Sequence, residues 1–329
     1  MRQPLFPDNA GAHDGVTLHP HPTFLKGTIM FVLLGSNGNI TSKAARILLS
    51  QGREVRVVSR SAQSLAALKA AGAETAIGDL TDLDFLTGAL RGAEAVYTMI
   101  PPNYTAPDMR ADQDRLGEAI AKAVAAAGVT RVVNLSSTGA HLAEGTGPIA
   151  GLHRQELRLN ALPGVNVLHL RPGYFFENHF NAIGTITAMG VYADMVDSNT
   201  PIPMIGTGDI AVVVARELAG FHTQGKAVLH LHAPKLYTQA ESATILGRAI
   251  GKPDLQHVSA PPAQVKAGMI AHGLSPDVAD KFEEMSRAFG QPSFTSALAA
   301  GPVEITPTTL EAFAASVFKP AFEGAAKAA

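Results

Sequence analysis

Six short apolar runs, Ile29 to Leu34, Glu54 to Ser59, Glu74 to Ile77, Ala95 to Ile100, Arg131 to Ser136 and Val165 to Arg171, are separated by stretches of helical spacing. Each run is aliphatic and bounded by Gly, Pro or polar residues, the pattern of strands buried on both faces. The segments between them carry the other period. From about Met109 to Ala127, for example, Leu116, Ile120, Ala121, Val124 and Ala127 recur at three and four residues and share one helical face. Such alternation leaves few options, because neighbouring parallel strands need a crossover connection and a helix supplies it. The expected fold is α/β, a doubly wound parallel sheet followed by a smaller C-terminal cap.

The chain of 329 residues is 46% hydrophobic and 16% charged, enough apolar material for a large core. Residues 1–27 are rich in Pro, Gly, His and Asp without either period, and read as a mobile N-terminal extension. His13, His19 and His21 within it have no fixed geometry, so no metal site is expected. Residues 28–172 form the expected parallel-sheet domain. Residues 173–329 form the expected cap, with a helix near 208–223 packing back on the first domain.

Lys and Arg number 26 against 28 Asp and Glu, a net charge of -2, so no nucleic-acid partner is expected. The absence of cysteine excludes thiolate nucleophiles, cysteine-ligated zinc and iron–sulfur clusters, and fits a cytoplasmic location. Ile29 to Leu34 is far short of the roughly 20 apolar residues that cross a bilayer, so no membrane association is expected. The residues before it lack the basic end and apolar core of a secretory leader.

Directly after the first strand comes Gly35-Ser36-Asn37-Gly38-Asn39-Ile40-Thr41, and then a helix from about Ser42 to Gln51. Gly35 permits the sharp turn out of the strand, and Gly38 leaves the backbone N–H groups at the helix start open to a pyrophosphate. The Rossmann-like dinucleotide fingerprint has a third glycine where Thr41 stands, so the match is partial. Where the second strand ends, an acidic residue would bind the ribose hydroxyls of NAD. Ser59, Arg60 and Ser61 stand there instead. The forked donors of Arg60 suit a 2′-phosphate, so NADP(H) is preferred over NAD(H).

The runs GSNGNIT, GREVRVVSR, GAETAIGDLTDLDFLTGALRGAEAVYTMIPP and LRPGYFFEN together resemble the NmrA-like branch of the atypical short-chain dehydrogenase/reductases, over most of residues 30–290. The resemblance implies that Asp79 and Leu80 lie by the adenine and that Met99, Ile100 and Pro101 lie along the nicotinamide ribose. Without it, Asp79 reads first as a local turn cap before the helix Asp82 to Leu90, and nucleotide binding is the lesser reading. Members that reduce quinones or azo dyes carry a Lys or His on the helix after the fifth strand, and the counterpart here is His153. A packed or surface histidine is the competing reading. None of the five tyrosines has the lysine four residues on that the main reductase branch uses.

Ser136 and Ser137 end the fifth strand, at the open edge of a parallel sheet. They are candidates for cofactor and substrate contact respectively, or simply hydroxyls that close a strand. Tyr104 and the cluster Tyr174, Phe175, Phe176 and Asn178 are the candidate walls for a flat, apolar substrate, with core packing as the rival. Asp209 reads as a helix cap. The sum is an NADPH-dependent reductase that passes a hydride to a small conjugated acceptor such as a quinone, with His153 as the catalytic group. The alternative is a non-catalytic NADP(H)-binding sensor that acts through a protein partner.

Overall fold

A computed structural model gives the architecture of residues 30–35, 38–299 and 301–328; the expected extension at 1–27 and the loop residues Ser36 and Asn37 lie outside the described residues. Strand and helix alternate as the sequence predicts: β1 (Met30–Leu34), α1 (Thr41–Ser50), β2 (Glu54–Ser59), α2 (Ala62–Ala70), β3 (Glu74–Ile77), α3 (Leu83–Leu90), β4 (Ala93–Thr98), α4 (Met109–Ala126), β5 (Arg131–Leu135), α5 (Ile149–Asn160) and β6 (Asn166–Pro172). The fold is a doubly wound parallel sheet with the strand order 3-2-1-4-5-6. Leu33 of β1 pairs with Val57 of β2 on one side and Tyr97 of β4 on the other. The order reverses between β1 and β4, which opens a crevice at their carboxyl ends.

Seven further strands and eight helices follow: β7 (Tyr174–Phe175), α6 (Ile183–Met189), β8 (Tyr192–Asp194), β9 (Ile202–Ile205), α7 (Thr207–Ala219), β10 (Lys226–His232), β11 (Leu236–Tyr237), α8 (Gln239–Ala249), β12 (His257–Ser259), α9 (Pro262–Ala271), α10 (Pro276–Phe289), α11 (Pro292–Thr295), β13 (Val303–Ile305), α12 (Leu310–Phe313) and α13 (Lys319–Ala328). Two of these strands join the main sheet. β10 runs parallel to β6, with Leu229 opposite Leu170, and β13 lies outside β10. The sheet therefore has eight strands and continues past residue 172. Without β10, the whole apolar edge of β6 would be unpaired.

The two faces of the sheet are covered by different helices. On one, Ile210, Val213 and Val214 of α7 share a core with Ala44, Ala45 and Leu48 of α1 and with Phe31 and Leu33 of β1. On the other, Leu86 and Leu90 of α3 and Leu116, Ile120 and Val124 of α4 pack on Val32, Leu34 and Val96. A third core, built on Phe176, Tyr192, Met204, Leu246, Phe289 and Phe313, belongs to the C-terminal half. With both faces closed, the carboxyl-terminal edge is where the sheet remains open to a ligand.

Candidate functional site

The turn after β1 is a cradle in which each residue has a separate task. Gly35 adopts φ +101°, a region that favours glycine, and its N–H donates to the Val58 carbonyl at 3.0 Å, tying the turn to β2. A Cβ at Gly38 would meet nothing within 4 Å among the described residues other than its chain neighbours, so the space above that backbone is open on their side. Thr41 is buried, and its Oγ1 donates to the Leu34 carbonyl at 3.1 Å. A helix and strand that a third glycine would bring together by having no side chain are here joined by a hydroxyl. Asn39 is exposed and Ile40 buried. Among the described residues no side chain caps α1 at Ile40; the Ser42 N–H of its first turn donates to the Gly38 carbonyl at 3.2 Å, and the N–H groups of that turn that remain are open to an anion. Met99 closes the cradle from the β4 side, with its Sδ 3.7 Å from where a Cβ on Gly35 would be.

Beyond the cradle, the ends of β2, β3 and β4 meet in a polar cleft lined by Arg60, Asp79, Leu80, Thr81, Pro101, Pro102, Asn103, Asp112, Arg115 and Leu116. Arg60, Asp79, Leu80 and Pro101, all expected at a nucleotide, thus share one wall. Asp79 Oδ1 accepts from the Thr81 N–H at 2.8 Å and from Thr81 Oγ1 at 2.9 Å. These bonds, and the nearby guanidinium groups of Arg60 and Arg115, hold its carboxyl below the usual range. The cap of α3 is Asp82, which accepts from the Phe85 N–H at 3.1 Å. Sequence reasoning missed Arg115; the only hint was its place one residue before core Leu116 on a helix that starts at the crevice.

A second cavity, of about 170 Å³, lies across the same wall. It shares Pro101, Pro102, Asn103 and Asp112 with the cleft, and adds Ile100, Tyr104, Met109, Gln113, Pro148, Ile149, Leu152 and Phe282. Tyr104 is about half exposed, and its ring centre is 6.2 Å from that of Phe282 on α10. Phe282, more than 170 residues on in sequence, carried no signal that it would reach this loop. α10 is latched to the loop at its start: Ser275 Oγ donates to the Ala106 carbonyl at 2.6 Å, and Asp277 accepts from the Met109 N–H at 2.8 Å.

The remaining candidates have other partners. Ser136 Oγ donates to Glu156 at 2.5 Å, and Glu156 in turn receives Arg171 through Nε at 2.9 Å and Nη2 at 2.5 Å, all three buried. Ser137 Oγ donates to the Thr138 carbonyl at 2.9 Å. His153 is half-buried; its Nδ1 lies 2.9 Å from the Ala140 carbonyl, which can only accept, so Nδ1 carries the proton. Its Nε2 in the neutral ring is then a lone pair. His153 lines neither cavity.

The aromatic segment divides. Phe176 is fully buried, its ring 5.9 Å from Tyr237 and 5.4 Å from Phe313, so the expectation that it walls a substrate is corrected: it is core. Phe175 packs at the edge of the nucleotide-side core. Tyr174 packs edge-on to Phe289 at 6.0 Å, and Asn178 is half-buried. Asp209 is also corrected. Its carboxylate does not cap α7 but accepts from the Thr308 N–H at 3.0 Å and Thr308 Oγ1 at 2.7 Å. Among the described residues no group of three His, Asp or Glu side chains could hold a metal, and no helix is long and apolar enough to cross a membrane.

Residues 35–200 match the family model described as NAD(P)H-binding. An NAD(P)H azoreductase of Xenophilus azovorans is 27% identical over 262 residues, covering 78% of this chain and 86% of its own length. Among solved structures, an NADPH-dependent quinone oxidoreductase of Escherichia coli, determined with NADPH, superposes with a TM-score of 0.69 and 21% identity over 88% of this chain and 100% of that one. A variant of NmrA superposes with a TM-score of 0.70 and 15% identity, covering 91% and 98%. At these identities the structural likeness is one of fold.

Proposed function

The chain belongs to the NAD(P)H-binding family, and from that premise we propose that it is an NADPH-dependent reductase that delivers a hydride to a small conjugated acceptor, of the quinone or azo kind, in the cytoplasm. One observation carries the reading: a polar cleft with an arginine and a carboxylate shares the wall Pro101–Asn103 with an apolar, aromatic cavity. A dinucleotide and a flat acceptor need such adjoining surfaces. The azoreductase relative and the fold of the quinone oxidoreductase support it.

The turn fits the cofactor by its own geometry, since the open space over Gly38 is what a pyrophosphate requires. In this reading Gly35, Gly38, Asn39 and Ile40, with Ser36 and Asn37, hold the pyrophosphate. Arg60 holds the 2′-phosphate and so favours NADP(H) over NAD(H). Asp79 and Leu80 border the adenine, and Met99, Ile100, Pro101 and Ser136 border the nicotinamide half. The bound cofactor supplies the hydride. Tyr104 and Phe282 fix the acceptor's plane and exclude water from it, with Ser137, Tyr174, Phe175 and Asn178 on the β5 and β6 side. Reduction puts charge on the acceptor's heteroatom while its conjugated system spreads it, so a single donor suffices. His153 donates from its doubly protonated form, because its neutral ring has its one proton on Nδ1.

That His153 lines neither cavity favours a second reading, an NADP(H)-binding sensor without chemistry whose contact with a protein partner follows the cofactor's state. The test is NADPH oxidation across a panel of quinones and azo dyes, with Tyr104→Ala beside the native chain. Turnover with a raised KM for the acceptor in Tyr104→Ala, and unchanged NADPH affinity, supports the reductase. Tight NADPH binding with no oxidation of NADPH by any acceptor removes it and leaves the sensor.

A further inference from the structure

We propose that Arg115 on α4 binds the purine base of the dinucleotide, as a flat charged wall whose contribution does not depend on the 2′-phosphate. The inference rests on the NADP(H)-binding reading above and adds a residue to it. The cleft that holds Arg115 presents Leu80, Leu116, Pro101 and Pro102 as its apolar surface, among the polar groups of Arg60, Asp79, Thr81, Asn103 and Asp112. The two prolines and two leucines give a heteroaromatic ring a surface to lie on, and the carboxylates of Asp79 and Asp112 beside Arg115 disfavour a phosphate there.

Arg115 and Arg60 differ in how they are held. Arg60 stands at the exposed end of β2, between the hydroxyl-bearing Ser59 and Ser61. Arg115 is ion-paired with Asp112, one turn earlier on the same helix. That carboxylate is only 10% exposed, while the Arg115 side chain is 63% exposed. The partner is thus rooted in the helix packing and the guanidinium is left at the rim with its charge already matched. A guanidinium so paired is a weak ligand for a phosphate dianion, yet its planar face remains free to lie on an aromatic ring. Its field reaches across the cleft, where it adds to that of Arg60 on the exposed Asp79 carboxyl.

The experiment is calorimetric titration of NADPH and of NADH into the native protein, Arg115→Ala, Arg115→Lys and Arg60→Ala, with thermal melting of each variant. Arg115 is at the surface, so its variants are expected to melt with the native chain. Arg115→Ala should weaken NADPH and NADH by the same factor, about three- to thirty-fold. Arg115→Lys, which keeps the charge and loses the plane, should not restore the affinity. A loss confined to NADPH would make Arg115 a phosphate ligand and overturn the assignment, as would full recovery in Arg115→Lys. Unchanged affinity for both nucleotides in Arg115→Ala, with the native protein binding, overturns it while the dinucleotide reading stands. Failure of the native protein to bind either nucleotide removes both.

Discussion

Thr41 Oγ1 donates a hydrogen bond to the carbonyl of Leu34 at 3.1 Å, so the first residue of α1 is fastened to the last residue of β1 across the turn between them. The fastening makes Gly35 and Gly38 separable. A Cβ on Gly35 would come to 3.0 Å from Thr41 Oγ1 at a φ of +101°, whereas a Cβ on Gly38 would meet nothing within 4 Å among the described residues beyond its chain neighbours. Gly35→Ala should therefore cost about 1–3 kcal/mol of stability, through strain at a left-handed φ. Gly38→Ala should leave the melting temperature unchanged and weaken NADPH binding at least about tenfold, because the new methyl group occupies the pyrophosphate's approach. Denaturant melts and calorimetry on the two variants check both halves.

Arg60→Ala should weaken NADPH by roughly ten- to a hundred-fold, the worth of a charge-assisted bond to phosphate, and leave NADH nearly unchanged. Equal weakening of both nucleotides would remove the 2′-phosphate role. Raising the salt concentration should narrow the NADPH advantage of the native protein, since Arg60 is exposed and its field is screened.

Acid should destabilise the fold through His169. Its Nδ1 accepts from Asn134 Nδ2 at 3.1 Å and its Nε2 donates to Asn160 Oδ1 at 3.0 Å, while Asn134 Oδ1 accepts from Thr98 Oγ1 at 3.0 Å. Only the neutral ring satisfies this chain. Burial, with Arg171 and Lys226 nearby, outweighs the attraction of Glu156 and pushes His169 down to about 4 from an ordinary 6.5. The folded state thus resists a proton that the unfolded chain accepts. The stability this contributes is complete above the unfolded value and is lost as pH falls from 6.5 toward 4. At about pH 5 the loss from this residue alone is roughly 2 kcal/mol. Urea melts at about pH 7 and pH 5 should show a smaller drop for His169→Gln than for the native chain.

Glu156 joins β5, α5 and β6 through Ser136 and Arg171. Glu156→Ala leaves the Arg171 guanidinium buried without its counter-charge and should cost about 3–5 kcal/mol. Glu156→Leu combined with Arg171→Met, which removes both charges and keeps the volume, should recover most of that loss. If the single and double variants unfold at the same denaturant concentration, the pair is not the source of the cost.

Much of the nucleotide half can be read from local pattern. The six predicted strands and α4 are present to within one or two residues at most ends, because period, turn residues and length are properties of short segments. Arg60 could be singled out for the same reason, as a guanidinium at the end of a strand, whereas Asp79 is placed at the nucleotide by the family resemblance, its local pattern being that of a turn cap. Phe176 and Asp209 could not be read in this way. A run of three aromatics does not say which ring meets solvent, and an Asp in the first turn of a helix does not reveal a Thr308 that is ninety-nine residues away. The same limit hid Phe282 and Arg115, whose places follow from which faces of α10 and α4 meet the crevice.

The amino-acid sequence by itself determined the alternation of strand and helix, the strained glycine turn after β1 and the guanidinium at the end of β2, since each depends on neighbours within a few residues. The tertiary structure decided that β10 and β13 extend the sheet, that Phe176 is core, that His153 points its proton at Ala140 and that Arg115 stands at the cleft's rim. Those outcomes depend on which apolar faces exclude water together. Burial is a property of the whole packed chain, and no local period encodes it.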